Sequence, residues 1–99
     1  MNIKINSVHF KADKKLESFI NEKLQKMPAL FDGILNSEVM LKVENSETRE
    51  NKIVEIRLII RGNDLFAKKM SSTFEEATDK AVEALRKQLL RHKDKLRGS

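Results

Sequence analysis

Seven basic residues fall between positions 80 and 97: Lys80, Arg86, Lys87, Arg91, Lys93, Lys95 and Arg97. Only Glu83 and Asp94 oppose them, while the other 81 residues balance at 13 basic and 13 acidic. The whole formal charge of +5 therefore sits on one stretch of chain. Charge concentrated in this way is the footprint of a partner that presents phosphates. At 100° per residue, Lys80, Lys87 and Arg91 lie within about 40° of one another, and the apolar residues of the stretch centre roughly 130° away. Upstream, Lys23 falls within the arc of Leu16, Phe19 and Met27, with Lys26 at its edge. Two helices side by side then place Lys23 and Lys26 across a groove from Lys80, Lys87 and Arg91, with Arg86 and Lys93 as neighbours. Such a cleft tracks a phosphate backbone, which supplies affinity without reading sequence. A solvated helix face is the plainer account of any single lysine, and it suffices for Lys68 and Lys69. It does not explain an unbalanced cluster.

Catalytic chemistry finds little material. Gly33, Gly62 and Gly98 are isolated, so no glycine-rich loop cradles a nucleotide. His9 and His92 have no carboxylates or cysteines at ligand spacing, so neither a metal nor a cofactor is expected, and His92 reads as a helix-surface or partner-contacting residue. Ser71 and Ser72 lack a nucleophile-elbow motif. Glu75 and Glu76 suit a helix N-terminus better than an acid/base pair. With no catalytic residue, no enzyme and no small-molecule substrate are expected. Five Phe with no Tyr or Trp, two of them (Phe19 and Phe74) assigned to the core, are too few for a base-stacking platform. Structured RNA, met by helices through backbone and shape, fits better. DNA stays open, although no helix-turn-helix or ribbon signature supports it.

The elements that must hold these residues are legible in the periodicities. Ile3, Ile5 and Ser7 alternate with polar residues, giving a strand over 2–8 with one buried face. Asp13 can cap a helix over about 13–28, whose stripe is Leu16, Phe19, Ile20, Leu24 and Met27 and whose end is marked by Pro28 and Asp32-Gly33. Val39, Leu41 and Val43, then Val54, Ile56, Leu58 and Ile60, make two antiparallel strands around a polar stretch at 45–51. Gly62-Asn63 signals a tight turn into a fourth strand over 65–71. Ser72-Thr73-Phe74-Glu75 reads as a capping box that opens a helix over about 73–96. Its core face is Phe74, Ala77, Ala81, Val82, Leu85, Leu89 and Leu96.

The order β-α-β-β-β-α predicts an α+β fold: a four-stranded sheet with two roughly parallel helices on one face, like a double-stranded-RNA-binding domain, and water on the other. At 99 residues this is a single domain, 1–99. No cysteine is present, which removes disulfides and thiol chemistry and suits a reducing compartment. The N-terminus is no secretory signal and no apolar run reaches membrane length. A cytoplasmic protein without membrane contact is expected.

The run Ser72-Thr73-Phe74-Glu75-Glu76-Ala77-Thr78-Asp79-Lys80-Ala81, continued by Leu85-Arg86-Lys87-Gln88-Leu89 and Arg91-His92-Lys93-Asp94-Lys95, resembles the ribosome hibernation-promoting factors. These are also called ribosome-associated inhibitors or ribosomal subunit interface proteins. The resemblance spans nearly the whole chain. It implies a protein that binds the small ribosomal subunit in the messenger and transfer RNA channel, contacts ribosomal RNA through both helices, and silences translation in stationary phase or stress. Some members also promote inactive ribosome dimers. The resemblance assigns RNA contact to Lys23, Lys26, Lys87 and Arg91. Members often carry lysine where this chain has Ala84, and a basic residue near Ala29, beside Pro28. Ending at Ser99, the chain resembles the short form, expected to be monomeric off the ribosome. The rival readings are a general structured-RNA module, a basic protein-interaction module that modulates a sigma factor, and a small phosphate-handling enzyme, against which the missing glycine-rich loop and the terminal helix speak.

Overall fold

A computed structural model describes residues 1–44 and 49–96, without the Leu96 side chain. Part of the polar stretch at 45–51, the expected core role of Leu96, and Arg97 thus lie outside the described residues. The elements are β1 (Asn2–Ser7), α1 (Lys14–Gln25), a 3-10 turn (Met27–Ala29), β2 (Ile34–Val43), β3 (Lys52–Ile60), β4 (Asn63–Ser71) and α2 (Phe74–Leu96). The sheet runs in the order β1-β2-β3-β4. β1 is parallel to β2, and the other pairs are antiparallel. A parallel pair needs a crossover, and α1 is that crossover. The expected α+β architecture is therefore the observed one, with a mixed sheet.

Period two along the strands decides which residues meet the helices. Ile5 pairs with Val39, Leu41 with Val54, and Ile56 with Ala67. From the helices, Leu16, Ile20, Leu24, Ala77, Ala81, Leu85 and Leu89 complete one core cluster with these residues. α2 packs over β3 and β4, while α1 packs beside it and against β1. The small side chains of Ala77 and Ala81 let the α2 backbone lie close to the sheet. The opposite sheet face carries the pairs Lys42–Glu55 (2.8 Å) and Arg57–Asp64 (3.5 Å), with Phe66 beneath the Arg57 guanidinium.

Several boundaries differ from the sequence reading. α1 stops at Gln25, because Pro28 cannot continue the helical hydrogen bonding and instead opens the 3-10 turn. β2 begins five residues before Val39, at Ile34, and a bulge at Leu35 switches its parity. That extra residue lets Ile34 face the core along with Val39 and Leu41, while Leu35 is exposed. Val43, expected on the buried face, is 48% exposed at the strand end. The Asp13 carboxylate accepts from the Leu16 amide at 2.8 Å, as expected of a cap. α2 is capped one residue later than expected: Thr73 Oγ1, not Ser72, accepts from the Glu76 amide at 3.1 Å. β4 continues through buried Ser71, which leaves Ser72 as the link and shifts the cap onward. Phe74 is only partly buried and stacks on Phe10 at 5.1 Å, and Phe19 lies under the Lys23 ammonium at 5.4 Å.

The β3–β4 turn also moves by one position. Ile60 pairs with Asn63, so Arg61 and Gly62 form the turn and β4 starts before Leu65. Gly62 has φ +77, and a Cβ added there would meet nothing within 4 Å. The cost of Gly62→Ala is then purely conformational, about 1 kcal/mol for a left-handed L-residue. We expect the thermal midpoint to drop by roughly 4–8 °C with no change in ligand binding. An unchanged midpoint in a melting experiment would show that the turn relaxes freely.

Candidate nucleic-acid interface

The C-terminal helix presents its cations on two flanks rather than one. Lys80, Lys87 and Arg91 line a groove between α2 and β4, together with Lys69, Ala84 and Gln88. Lys23, Lys26 and Arg86 line a second groove, between α1 and α2, floored by Met27, Leu30 and Val82. Asp79 and Glu83 line both, so they form the ridge between them. The sequence reading set Lys23 and Lys26 directly across one groove from Lys80, Lys87 and Arg91, and that placement is corrected here. A helical wheel gives angles about an axis but not which neighbour stands on which side. Because α2 lies over β3 and β4, the Lys80 flank turns toward β4 and the Arg86 flank toward α1. Lys93, half-buried in the last turn of α2, lines neither groove.

The cations divide into held and available ones. Lys23 pairs with Asp79 at 3.1 Å, both side chains substantially exposed. Such a pair contributes no more than about 1 kcal/mol, so its value is to orient Lys23 across the inter-helix groove. Lys80 reaches Glu76 at 3.5 Å and Ser71 Oγ at 3.4 Å. The Ser71 hydroxyl, donating to Glu76, is the main cause that holds this carboxyl below its ordinary range. Desolvation pushes the other way, and Lys80 adds to the lowering through its hydrogen bond and its charge. A depressed carboxylate stabilises the fold above its unfolded pKa and loses that contribution as pH falls through the lowered folded value. Among the described residues, Lys26, Lys69, Arg86, Lys87 and Arg91 have neither ion pair nor hydrogen bond from their side chains. These five are free to meet an external anion.

Two ties hold the grooves in shape. Gln88 Nε2 donates to the Phe66 carbonyl at 3.0 Å, fastening α2 to the open edge of β4. His92 meets the Phe31 ring edge-on at 5.4 Å, fastening the end of α2 to the α1–β2 connection. His92, expected on the helix surface, is thus half-buried against an aromatic ring. Sequence reasoning missed Asp79, Glu83 and Lys69. For Lys69 the signal was present: Leu65, Ala67, Lys69 and Ser71 share one parity, which puts Lys69 on the helix-facing side and Lys68 on the other.

A model of the family described as Sigma 54 modulation protein / S30EA ribosomal protein matches residues 3–97. The chain belongs to this family. It is 30% identical over 95 residues to a ribosome hibernation promoting factor of Pseudomonas putida, covering 96% of this chain and 89% of that one. It is 28% identical over 97 residues to the ribosome hibernation promoting factor of Escherichia coli K12, covering 98% of each. Among solved structures, a ribosomal subunit interface protein from Coxiella burnetii superposes with a TM-score of 0.84 at 20% identity, over 95% of this chain and 99% of that one. The N-terminal domain of Thermus thermophilus Protein Y gives 0.80 at 22% identity, over 93% and 99%. At those identities the two structures attest the fold. Set in this S30EA family fold, both departures noted in the sequence fall beside the grooves. Ala84 lies in the groove against β4, and Pro28 opens the turn that follows α1.

Proposed function

We propose that this chain is a non-catalytic ribosome-binding inhibitor. It docks on the small ribosomal subunit in the messenger and transfer RNA channel, its two helices against ribosomal RNA, and silences translation in stationary phase or stress. The observation that carries this reading is the set of cations along both flanks of α2 that have no partner among the described residues, in a chain whose relatives are called ribosome hibernation promoting factors. A long helix lined with unpaired Lys and Arg neutralises phosphates and releases their counterions, and a body held in the decoding channel needs no further chemistry to exclude messenger RNA. Such a partner places the protein in the cytoplasm. Promotion of inactive ribosome pairs is the finer form of the same reading, seen as a heavier peak in a sucrose gradient.

Co-sedimentation with purified small subunits across a salt series tests the proposal. With about five phosphate contacts, log K should fall with log salt at a slope of roughly −4. Protein that stays in the supernatant at low salt would remove the ribosome from the account. The family description also names sigma 54 modulation, which makes an acidic protein partner the second reading. A complex that survives ribonuclease would favour it, and equal affinity for a plain RNA duplex would favour a general RNA module.

A further inference from the structure

Resting on the ribosomal RNA reading, we infer that α2 lies between two phosphodiester segments, and that Lys69 on β4 is the strand-side contact of the outer one. The two basic grooves share only the ridge residues Asp79 and Glu83. Asp79 is neutralised by Lys23, whereas Glu83 has no ion pair among the described residues. Its carboxylate repels phosphate from the crest at close range, where salt screens little. A backbone that approaches α2 is therefore turned down either flank. The two rows of phosphates then stand about one helix diameter apart, ~10–12 Å.

The outer groove, the one between α2 and β4, is built to take one of these rows. Its N-terminal end is closed by Lys80, which is engaged with Glu76 and Ser71. Beyond it, Lys87 and Arg91 follow one another at one-turn spacing along α2, and Lys69 faces them from β4. Ala84, the small residue among them, leaves the space over the helix open between the cations. The Gln88 bond to the Phe66 carbonyl ties helix to strand, so the backbone positions from which these charges project are set before a ligand arrives. Lys69 and Lys68 are adjacent lysines on opposite sheet faces. Lys68 stands across from Glu55 on the face away from both helices.

This adjacency supplies the test. Lys69→Ala and Lys68→Ala remove the same charge one residue apart, so any effect of net charge alone appears in both. We expect Lys69→Ala to weaken binding to small ribosomal subunits about threefold to tenfold and to make the salt slope shallower by about one, with Lys68→Ala unchanged. Combined with Lys26→Ala in the other groove, the losses in free energy should add, because the two sites share no partner. Equal behaviour of the Lys69 and Lys68 variants, whether both weakened or both intact, would overturn the inference while leaving ribosome binding standing. If the wild-type protein does not bind subunits at all, the proposed function fails instead. The same pair of variants on an RNA duplex of about 16 base pairs then decides whether the outer groove takes phosphate.

Discussion

Reversing Lys87 and Arg91 to glutamate together should abolish co-sedimentation with small ribosomal subunits at about 0.1 M salt while the protein stays folded. Both side chains are exposed, both line the outer groove, and neither has an ion pair or side-chain hydrogen bond among the described residues. If they meet ribosomal RNA as proposed, removing them deletes two phosphate contacts, which lowers the salt slope by about two. Reversal also places two carboxylates against the phosphates, and the combined loss is on the order of 100-fold or more. The cost to the fold is small. New like-charge neighbours at Glu83, 87 and 91 destabilise the helix by on the order of 0.5 kcal/mol, or roughly 2–4 °C in the midpoint. A Lys87→Gln, Arg91→Gln variant separates lost attraction from added repulsion, since it should show the same slope change with a smaller fall in affinity. Retained binding by the reversed protein at unchanged slope would rule out the outer flank of α2 as the RNA-contacting surface.

The faces of the sheet and the helix stripes could be read from the residues because each has a period that one buried side imposes. Ile3 and Ile5, Val54 to Ile60, and Ala77 to Leu89 declare their sides without any partner being known. What escaped was what depends on a neighbour. The bulge at Leu35 reverses the parity of β2, and an inserted residue in a mixed apolar run leaves no local mark. The cap at Thr73 rather than Ser72 follows from where β4 ends, and the local sequence offers both registers. The concentration of basic residues is plain in the sequence, yet their division into two grooves required knowing that α2 covers β3 and β4. That fact was within reach. The helix of a β-α-β unit lies over the strands it joins, which assigns α1 to the β1–β2 half of the sheet and leaves the β3–β4 half for the second helix. Lys69 would then have fallen beside Lys87 by strand parity alone.

Leu85→Ala should have the opposite signature, a large loss of stability with the salt slope of ribosome binding intact. Leu85 is fully buried at the middle of the α2 core stripe, among side chains of the same cluster that include Ala81 and Leu89. Because Ala77 and Ala81 already bring the helix close to the sheet, the surroundings have little room to collapse into the space left behind. The cost should be about 3 kcal/mol, the range for buried leucines that leave a cavity. Against a total of 5–15 kcal/mol this lowers the thermal midpoint by roughly 12–24 °C. Below that midpoint the folded molecules still present Lys26, Lys69, Arg86, Lys87 and Arg91, so the same number of counterions is released. Subunits at 100 times Kd should return about 2.7 kcal/mol to the folded state, enough to restore most of the protease resistance the substitution removes. If the variant instead lost slope as well as stability, α2 would have shifted on the sheet, and the groove geometry would depend on this one side chain.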